Sequence, residues 1–200
     1  MNNQEISHPF LKTILTTKVI LYPNQLNNEI YNNILNNLIK MLVGKCYKNY
    51  GFISNIYEII NISEGKIFQE DNNASVMYEV QFKCLIINPV ENTIILCKVI
   101  QNTQDWLLVG NTPEPINVVI RHDKINNSKF NIDSSSSTIA FNGTKDSSMS
   151  QHILEENEFV KVRITATSFI DKDREILSLG YLEDIPTDDE IKLLYDHLYD

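Results

Sequence analysis

Alternating acidic residues near the C-terminal end of the chain are the first candidates for chemistry. Asp171, Asp173 and Glu175 occur at every second position of the segment DKDRE. Carboxylate oxygens in such a series can hold a hard cation such as Ca²⁺. Here, however, Lys172 and Arg174 alternate with the acids. A solvated turn between two strands is the favoured interpretation, and we expect no metal site.

Other residue types that serve as nucleophiles or ligands are scattered. The four histidines have no partner at metal-ligand spacing: His8, His122, His152 and His197. The three cysteines are widely spaced and form no CxxC motif: Cys46, Cys84 and Cys97. They are predicted to be reduced, buried thiols and not zinc ligands. Phosphate-binding loops, dinucleotide fingerprints and the common hydrolase motifs are absent. We therefore expect no cofactor and no catalytic site, although an active site assembled from distant residues remains an alternative.

Residues that could bind RNA lie in the second half of the chain. Trp106 is the one tryptophan, and it begins a predicted strand, with Arg121 and Lys124 following in the sequence. Lys161 and Arg163 are expected to project outward from a later strand. Aromatic side chains stack on bases, and cations contact phosphates. The alternatives are that Trp106 belongs to the core and that the cations are ordinary solvated surface.

The charge is negative and unevenly placed. The chain of 200 residues carries a net charge of −9. Residues 1–89 are balanced, residues 90–185 carry −5, and residues 186–200 carry −4. Strong sequence-independent binding to nucleic acid needs clustered positive charge. The distribution therefore argues against a free, tight RNA binder and favours a part that docks on a larger assembly.

The first half of the chain is predicted to be a small α+β domain. Residues 16–22 (TTKVILY) form a short strand that Pro23 ends, and Asn24 is a candidate helix N-cap. Apolar residues then recur at every fourth position through residues 26–42, which predicts an amphipathic helix. Gly44 stands where that helix should stop.

Strands complete this domain. Residues 50–62 are β-rich, and residues 76–89 alternate between apolar and polar over most of their length. Such alternation predicts a strand with one buried face. Pro89 cannot continue a central strand. The predicted N-terminal α+β domain therefore covers residues 1–88.

The second half is predicted to be an all-β barrel over residues 89–185. Five short strands without a long helix between them are typical of a Greek-key barrel of the OB type. The candidate strands are residues 93–100, 106–109, 116–121, 158–169 and 175–182. The Ser-rich segment 126–150 is predicted to be a flexible surface insertion and not a domain.

The last segment, residues 186–200, is predicted to be an acidic helical extension. Thr187 and Glu190 have the spacing of a capping box, and early acids favour a helix start. Four apolar residues then lie at helical spacing and could contact a partner helix: Ile191, Leu194, Tyr195 and Leu198. This stripe either folds back on the barrel or binds in the groove of a partner.

The order of these features resembles a known family. The N-terminal features are Gly44-Lys45-Cys46, Tyr50-Gly51-Phe52-Ile53, Glu64-Gly65-Lys66-Ile67, and a long strand that closes on Pro89. The C-terminal features are Phe159-Val160-Lys161-Val162-Arg163-Ile164 and the segment ILSLGYLED at 176–184. Over residues 12–185 the chain resembles the stalk subunits of multisubunit RNA polymerases, namely the seventh subunit of eukaryotic RNA polymerase II and its archaeal counterpart.

The resemblance implies a fold and a function. The fold would be an α+β tip domain followed by an S1-type OB barrel. A tip loop would dock on the polymerase core through Gly65, Lys66, Ile67 and Phe68. A smaller helical partner, the fourth polymerase subunit or its archaeal equivalent, would complete the stalk. The barrel would contact nascent RNA during initiation, and the chain itself would catalyse nothing. The alternative is a free S1/OB-fold RNA-binding protein in translation or RNA decay.

The place of action is expected to be intracellular. The N-terminus lacks the pattern of a secretory signal, and no run of about 18 apolar residues predicts a membrane span. The many Asn and Ile residues indicate an AT-rich genome, for which a large DNA virus is one source. The protein would then act in the nucleus or cytoplasm of the host cell, or be packaged in a virion.

Overall fold

The chain divides into two compact units. The computed structural model describes residues 6–67, 73–111, 115–133, 138–142 and 152–192. The N-terminal unit consists of residues 10–88 together with the short segment 169–174. The C-terminal unit contains the described parts of the remaining chain. Among the described residues, no helix is both long and apolar enough to cross a membrane.

An antiparallel sheet forms the N-terminal unit. Its strands are β1 (Phe10–Leu21), β2 (Lys45–Tyr47), β3 (Gly51–Ile62), β4 (Lys66–Ile67) and β5 (Val76–Ile87). Their order is β1-β5-β3-β2, and β4 also pairs with β5. The predicted alternation of β5 is confirmed, since Val80, Phe82, Cys84 and Ile86 are buried while the residues between them are more exposed. The central strand therefore carries one face of the core.

A helix of three to four turns, α1 (Ile30–Leu42), buries an apolar stripe in the same core. Its buried side chains are Ile34, Leu38 and Leu42, as the helical spacing predicts. The helix begins later than predicted, however, and Asn24 is not its N-cap. Asn24 lies inside a 3-10 turn, Pro23–Gln25. The oxygen of the Asn27 side chain accepts a hydrogen bond from the Glu29 backbone N–H (2.9 Å), so a second turn precedes the helix.

Strand β1 is longer than predicted. The sequence pattern indicates a strand over residues 16–22, but all twelve residues of β1 pair with β5. Leu11 and Ile14 are exposed although they are apolar, so the first half of the strand shows no alternation. Their exposure explains why the pattern hides this part of the strand.

A closed five-stranded barrel dominates the C-terminal unit. It begins with β6 (Ile94–Asn102), β7 (Trp106–Gly110) and β8 (Ile116–Arg121). Between β8 and the closing strands come β9 (Phe130–Asp133), β10 (Thr138–Phe141) and β11 (His152–Ile153). The closing strands are β12 (Phe159–Ser168) and β13 (Ile176–Asp184). The first and last residues of each predicted barrel strand lie within two residues of the bounds in the structure.

The barrel order is β12-β13-β8-β7-β6. Strands β8 and β13 are parallel, and the other neighbours are antiparallel. This connectivity is consistent with an OB-like barrel. Its interior is lined by β-branched and other apolar side chains, for example Val118, Val162 and Ile164, all fully buried.

The insertion is not a loop throughout, and that part of the prediction is wrong. Strands β9, β10 and β11 form a separate three-stranded antiparallel sheet in the order β11-β10-β9. Phe130 and Ile139 are buried, and the rings of Phe130 and Phe141 lie 5.3 Å apart. In these strands the alternation of apolar and polar residues is only two or three residues long and is flanked by serines. The Ser-rich composition therefore predicted a loop where the structure has strands. The Ser-rich segments 134–137 and 143–151 lie outside the described residues.

Candidate functional site

The predicted tip loop leaves the sheet through β4. Gly65 packs tightly, because a Cβ at this position would lie 2.6 Å from Cγ1 of Val76. Ile67 follows with 69% of its surface exposed, although it is apolar. Lys66 is also exposed, and Phe68 lies outside the described residues. The structure therefore presents an exposed apolar side chain on a two-residue strand that follows a closely packed glycine.

Hydrogen bonds fix the chain just before this strand. The Ser63 backbone N–H donates to the Glu79 carbonyl oxygen (2.9 Å), and the Glu79 N–H donates to the Ser63 hydroxyl oxygen (2.9 Å). The end of β3 is thus held against β5. This anchoring restricts where Ile67 can lie relative to the sheet.

Three of the RNA-binding candidates lie together at one end of β7 and β8. Trp106 is half-buried and pairs with Arg121 across the two strands. Thr103 holds Trp106 in place, since its hydroxyl oxygen accepts a hydrogen bond from the Trp106 N–H (3.2 Å). Arg121 is exposed and contacts Asp123 at 3.0 Å. Lys124 is exposed in the 3-10 turn that follows.

The other two candidates belong to a different strand, β12, which pairs with β6 and β13. Lys161 and Arg163 point away from the barrel interior, as predicted, because the intervening Val162 is fully buried. Both are paired with carboxylates. Lys161 Nζ lies 2.6 Å from Glu190 Oε1, and Arg163 Nε lies 2.5 Å from Glu183 Oε1. Their charges are therefore balanced within the chain.

A third ion pair of the same kind involves a lysine that the sequence did not single out. Lys129 Nζ lies 2.5 Å from Asp184 Oδ2, and Asp184 is itself the register partner of Lys161. Lys129 stands in the predicted insertion, so no strand pattern placed it near the barrel. The one signal in the sequence was the acidic run that begins at Glu183, at the end of the last strand.

The predicted capping box at the C-terminal extension is confirmed. The Thr187 N–H donates to Glu190 Oε2 (2.7 Å), and the Glu190 N–H donates to the Thr187 hydroxyl oxygen (3.4 Å). Burial by itself raises the pKa of Glu190, but the bonds from Lys161 and Thr187 outweigh it and hold that pKa below its ordinary value. Ile185 is buried and Ile191 half-buried. The other members of the apolar stripe lie outside the described residues: Leu194, Tyr195 and Leu198.

The alternating acids of the segment DKDRE form hydrogen bonds within the protein. Asp171 Oδ1 accepts from the Lys48 backbone N–H (2.8 Å), and Asp173 Oδ2 accepts from the Ile170 N–H (2.9 Å). The Asp173 carbonyl oxygen accepts from the Cys46 N–H (2.6 Å). The turn is thus bonded into the N-terminal unit and is not simply solvated. Within the described ranges, no group of three or more His, Cys, Asp or Glu residues is placed to hold a metal ion.

The three cysteines are buried, reduced thiols, as predicted. Burial, with smaller contributions from Asp173 and Asp171, raises the pKa of Cys46 to about 11. Burial alone raises the pKa of Cys84 to about 11. Because the thiolate is the reactive form, these thiols are poor nucleophiles at neutral pH.

We expect alkylation to detect this burial. At pH 8, the native protein should react with iodoacetamide at Cys46 and Cys84 about a hundredfold more slowly than the unfolded chain, since the pKa rises from 9.0 to about 11. Mass spectrometry of digested samples, taken over time with and without urea, measures both rates. Equal rates in the two states would contradict the buried placement.

Two comparisons with known proteins agree with this architecture. Residues 16–71 match the model of the SHS2 domain found in the N terminus of Rpb7p/Rpc25p/MJ0397. The chain is also 26% identical, over 183 residues, to a protein of Acanthamoeba polyphaga mimivirus named putative DNA-directed RNA polymerase subunit L376. That alignment covers 92% of this chain and 86% of the viral protein. The N-terminal unit is similar to the Rpb7-type SHS2 domain, and the chain is similar to a viral RNA polymerase subunit.

The two matches overlap in the N-terminal unit, and the second extends further along the chain. The SHS2 match runs from the middle of β1 through α1, β2, β3 and β4, so it includes the predicted tip loop. The longer alignment extends over most of both units. The resemblance to the polymerase stalk subunits is therefore confirmed, and both matches lead to one class of protein, the subunits of RNA polymerase.

Proposed function

We propose that this chain is a non-catalytic stalk subunit of a DNA-directed RNA polymerase. The single observation that carries the proposal is the SHS2 match over residues 16–71, which spans the segment where Ile67 is exposed. The similarity to a viral polymerase subunit over 92% of the chain supports the same assignment. A large DNA virus is accordingly the proposed source, and the infected cell the proposed place of action.

Docking on the polymerase core is assigned to the tip loop: Gly65, Lys66, Ile67 and Phe68. A large apolar side chain exposed on an anchored strand is typical of a residue that becomes buried in a partner. Ile67 meets this description, and the hydrogen bonds between Ser63 and Glu79 reduce the conformational entropy that docking would remove.

A stalk partner like the fourth polymerase subunit, or its archaeal equivalent, is the second proposed contact. The outer surface of the barrel supports it. Leu177 and Leu179 are each 52% exposed on β13, and Leu179 is the register partner of Val119, which in turn pairs with Leu108. Contiguous exposed apolar side chains favour a protein partner over solvent. The helical stripe that begins at Ile191 is a further candidate for this contact.

Nascent RNA is the third proposed contact, through Trp106, Arg121 and Lys124. Trp106 and Arg121 are register partners across β7 and β8, and Lys124 is exposed in the turn that follows β8. Stacking on one aromatic ring contributes roughly 1–3 kcal/mol per base. The net charge of the chain limits the total affinity, so the polymerase would have to hold the RNA nearby.

Affinity purification of the tagged chain from its native setting tests the proposal. We expect the large polymerase subunits to co-purify and Ile67→Asp to reduce their recovery at least tenfold, because a charge would enter an apolar contact. Ile14→Asp is the matched control, since Ile14 is 53% exposed on the outer face of β1 and receives the same change.

Each outcome decides between the candidate functions. Equal recovery of the polymerase subunits with Ile67→Asp and Ile14→Asp would contradict docking through the tip loop. Recovery of ribosomes or RNA-decay factors in place of polymerase would favour the alternative, a free S1/OB-fold RNA-binding protein.

A further inference from the structure

Three cations on the outer surface of the C-terminal unit are each bonded to a carboxylate from the end of the chain. These are Lys129, Lys161 and Arg163, paired with Asp184, Glu190 and Glu183 respectively. We call the three basic residues the cationic row and residues 183–190 the acidic segment. All three acids come from eight consecutive residues, so one short piece of chain neutralises the whole row.

The geometry is that of phosphate binding with carboxylates in place of phosphates. Lys161 and Arg163 alternate with buried Val160 and Val162 on β12, so both project from the same side of the strand. Their side chains are only 17% and 26% exposed, and each donates a charge-assisted hydrogen bond to its carboxylate. A phosphate bound by these cations would therefore have to replace the carboxylates.

We propose that the acidic segment is an intramolecular competitor that occupies a phosphate-binding site for single-stranded RNA formed by the cationic row. This inference deepens the proposed RNA contact and rests on it. It adds Lys129 to the RNA-binding residues, and it gives Glu183, Asp184 and Glu190 a role in limiting that binding.

The competition is reversible on energetic grounds. A phosphate that replaces a carboxylate keeps a charge-assisted hydrogen bond to the cation, so RNA held close by can displace the acids one at a time. The segment is nevertheless well placed when RNA is absent. Ile185 and Pro186 within the segment are buried, and the capping box between Thr187 and Glu190 presents the Glu190 carboxylate to Lys161.

The test compares two double variants of the full chain that change the net charge equally. In Glu183→Gln/Glu190→Gln, both substitutions keep the size of the side chain, and the new amide at position 190 can still complete the capping box. The matched control is Asp188→Asn/Asp189→Asn. Both of these acids lie in the same segment, are exposed, and take no part in the three ion pairs of the cationic row. Fluorescence anisotropy with a labelled uridine homopolymer measures the dissociation constant over a range of salt concentrations.

We expect the glutamine variant to bind RNA roughly tenfold more tightly than the unchanged chain, because two cations become available to phosphates. The slope of log K against log salt should steepen by about 1.4, since each single-strand phosphate contact contributes about 0.7. The asparagine control should change the dissociation constant by less than about twofold and leave the salt slope unchanged. Adding Lys161→Gln/Arg163→Gln to the glutamine variant should abolish the gain. Circular dichroism and Trp106 fluorescence establish that all variants are folded.

Three outcomes would overturn the inference. An equal gain in RNA affinity in both double variants would mean that the change in net charge alone causes the effect. A gain that survives loss of Lys161 and Arg163 would place the RNA elsewhere. An absence of RNA binding in every folded variant would also exclude the competition, yet co-purification with polymerase would still support the proposed function. The two proposals can therefore fail separately.

Discussion

Replacing Phe82 by alanine is expected to lower the free energy of unfolding of the N-terminal unit by about 4 kcal/mol. Phe82 is fully buried on the central strand β5. It pairs with Leu15 of β1 on one side and with Ile59 of β3 on the other. Because the ring contacts a core shared by both neighbours and by α1, the cavity left by alanine cannot collapse easily.

Denaturant titration followed by circular dichroism measures this loss, and hydrogen exchange locates it in β1, β3 and β5. The matched control is Gln81→Ala, an exposed neighbour on the opposite face of the same strand, for which we expect a change below about 0.5 kcal/mol. Trp106 is the one tryptophan of the sequence and reports on the barrel separately. Equal effects of the two substitutions would contradict the placement of Phe82 in the core.

Gly51→Ala should destabilise the same unit by about 3 kcal/mol, because two costs combine. The backbone φ of Gly51 is +123°, a conformation that residues with a Cβ rarely adopt. In addition, a Cβ at this position would clash with the Ile87 carbonyl oxygen of β5. The Tyr50-Gly51-Phe52 step starts β3 beside the end of β5, so the strain would act where the two strands meet.

Gly44→Ala separates these two costs. Gly44 also has a positive φ, +78°, but a Cβ there would have no heavy atom within 4 Å. Only the backbone strain remains, which amounts to roughly 1–2 kcal/mol. Urea unfolding of the two variants under the same conditions measures the difference. If Gly44→Ala lowers the free energy of unfolding as much as Gly51→Ala does, the close approach of position 51 to Ile87 does not contribute to the loss.

Local patterns predicted the elements whose burial alternates regularly. The apolar positions of β5 and the stripe of α1 are readable because each faces a single core. Strand β1 is different, since its first half leaves Leu11 and Ile14 exposed. The sheet of β9, β10 and β11 is different again, because each strand has at most four residues and serines flank it.

The sequence predicted which way Lys161 and Arg163 point, but not what they contact. Period-two alternation on β12 is enough to place both side chains outside the barrel. Their carboxylate partners are 29 and 20 residues away in the chain. Ion pairs between residues so far apart in the chain depend on where the last strand and its extension lie against the barrel. No local sequence pattern predicts that placement. The tip loop stays a prediction that rests on its order in the chain, and it lies within the SHS2 match over residues 16–71.

The parallel pairing of β8 with β13 has a consequence for synthesis of the protein. Ile116 pairs with Ile176, and Ile94 of β6 pairs with Arg163 of β12, so the contacts that close the barrel join positions sixty or more residues apart. Such contacts form slowly, and strands that await their partners are prone to aggregate. While the ribosome translates the insertion, β6 and β8 would both expose unpaired edges. A shortened chain intended to fold as a closed barrel must therefore extend at least through Asp184, the last residue of β13.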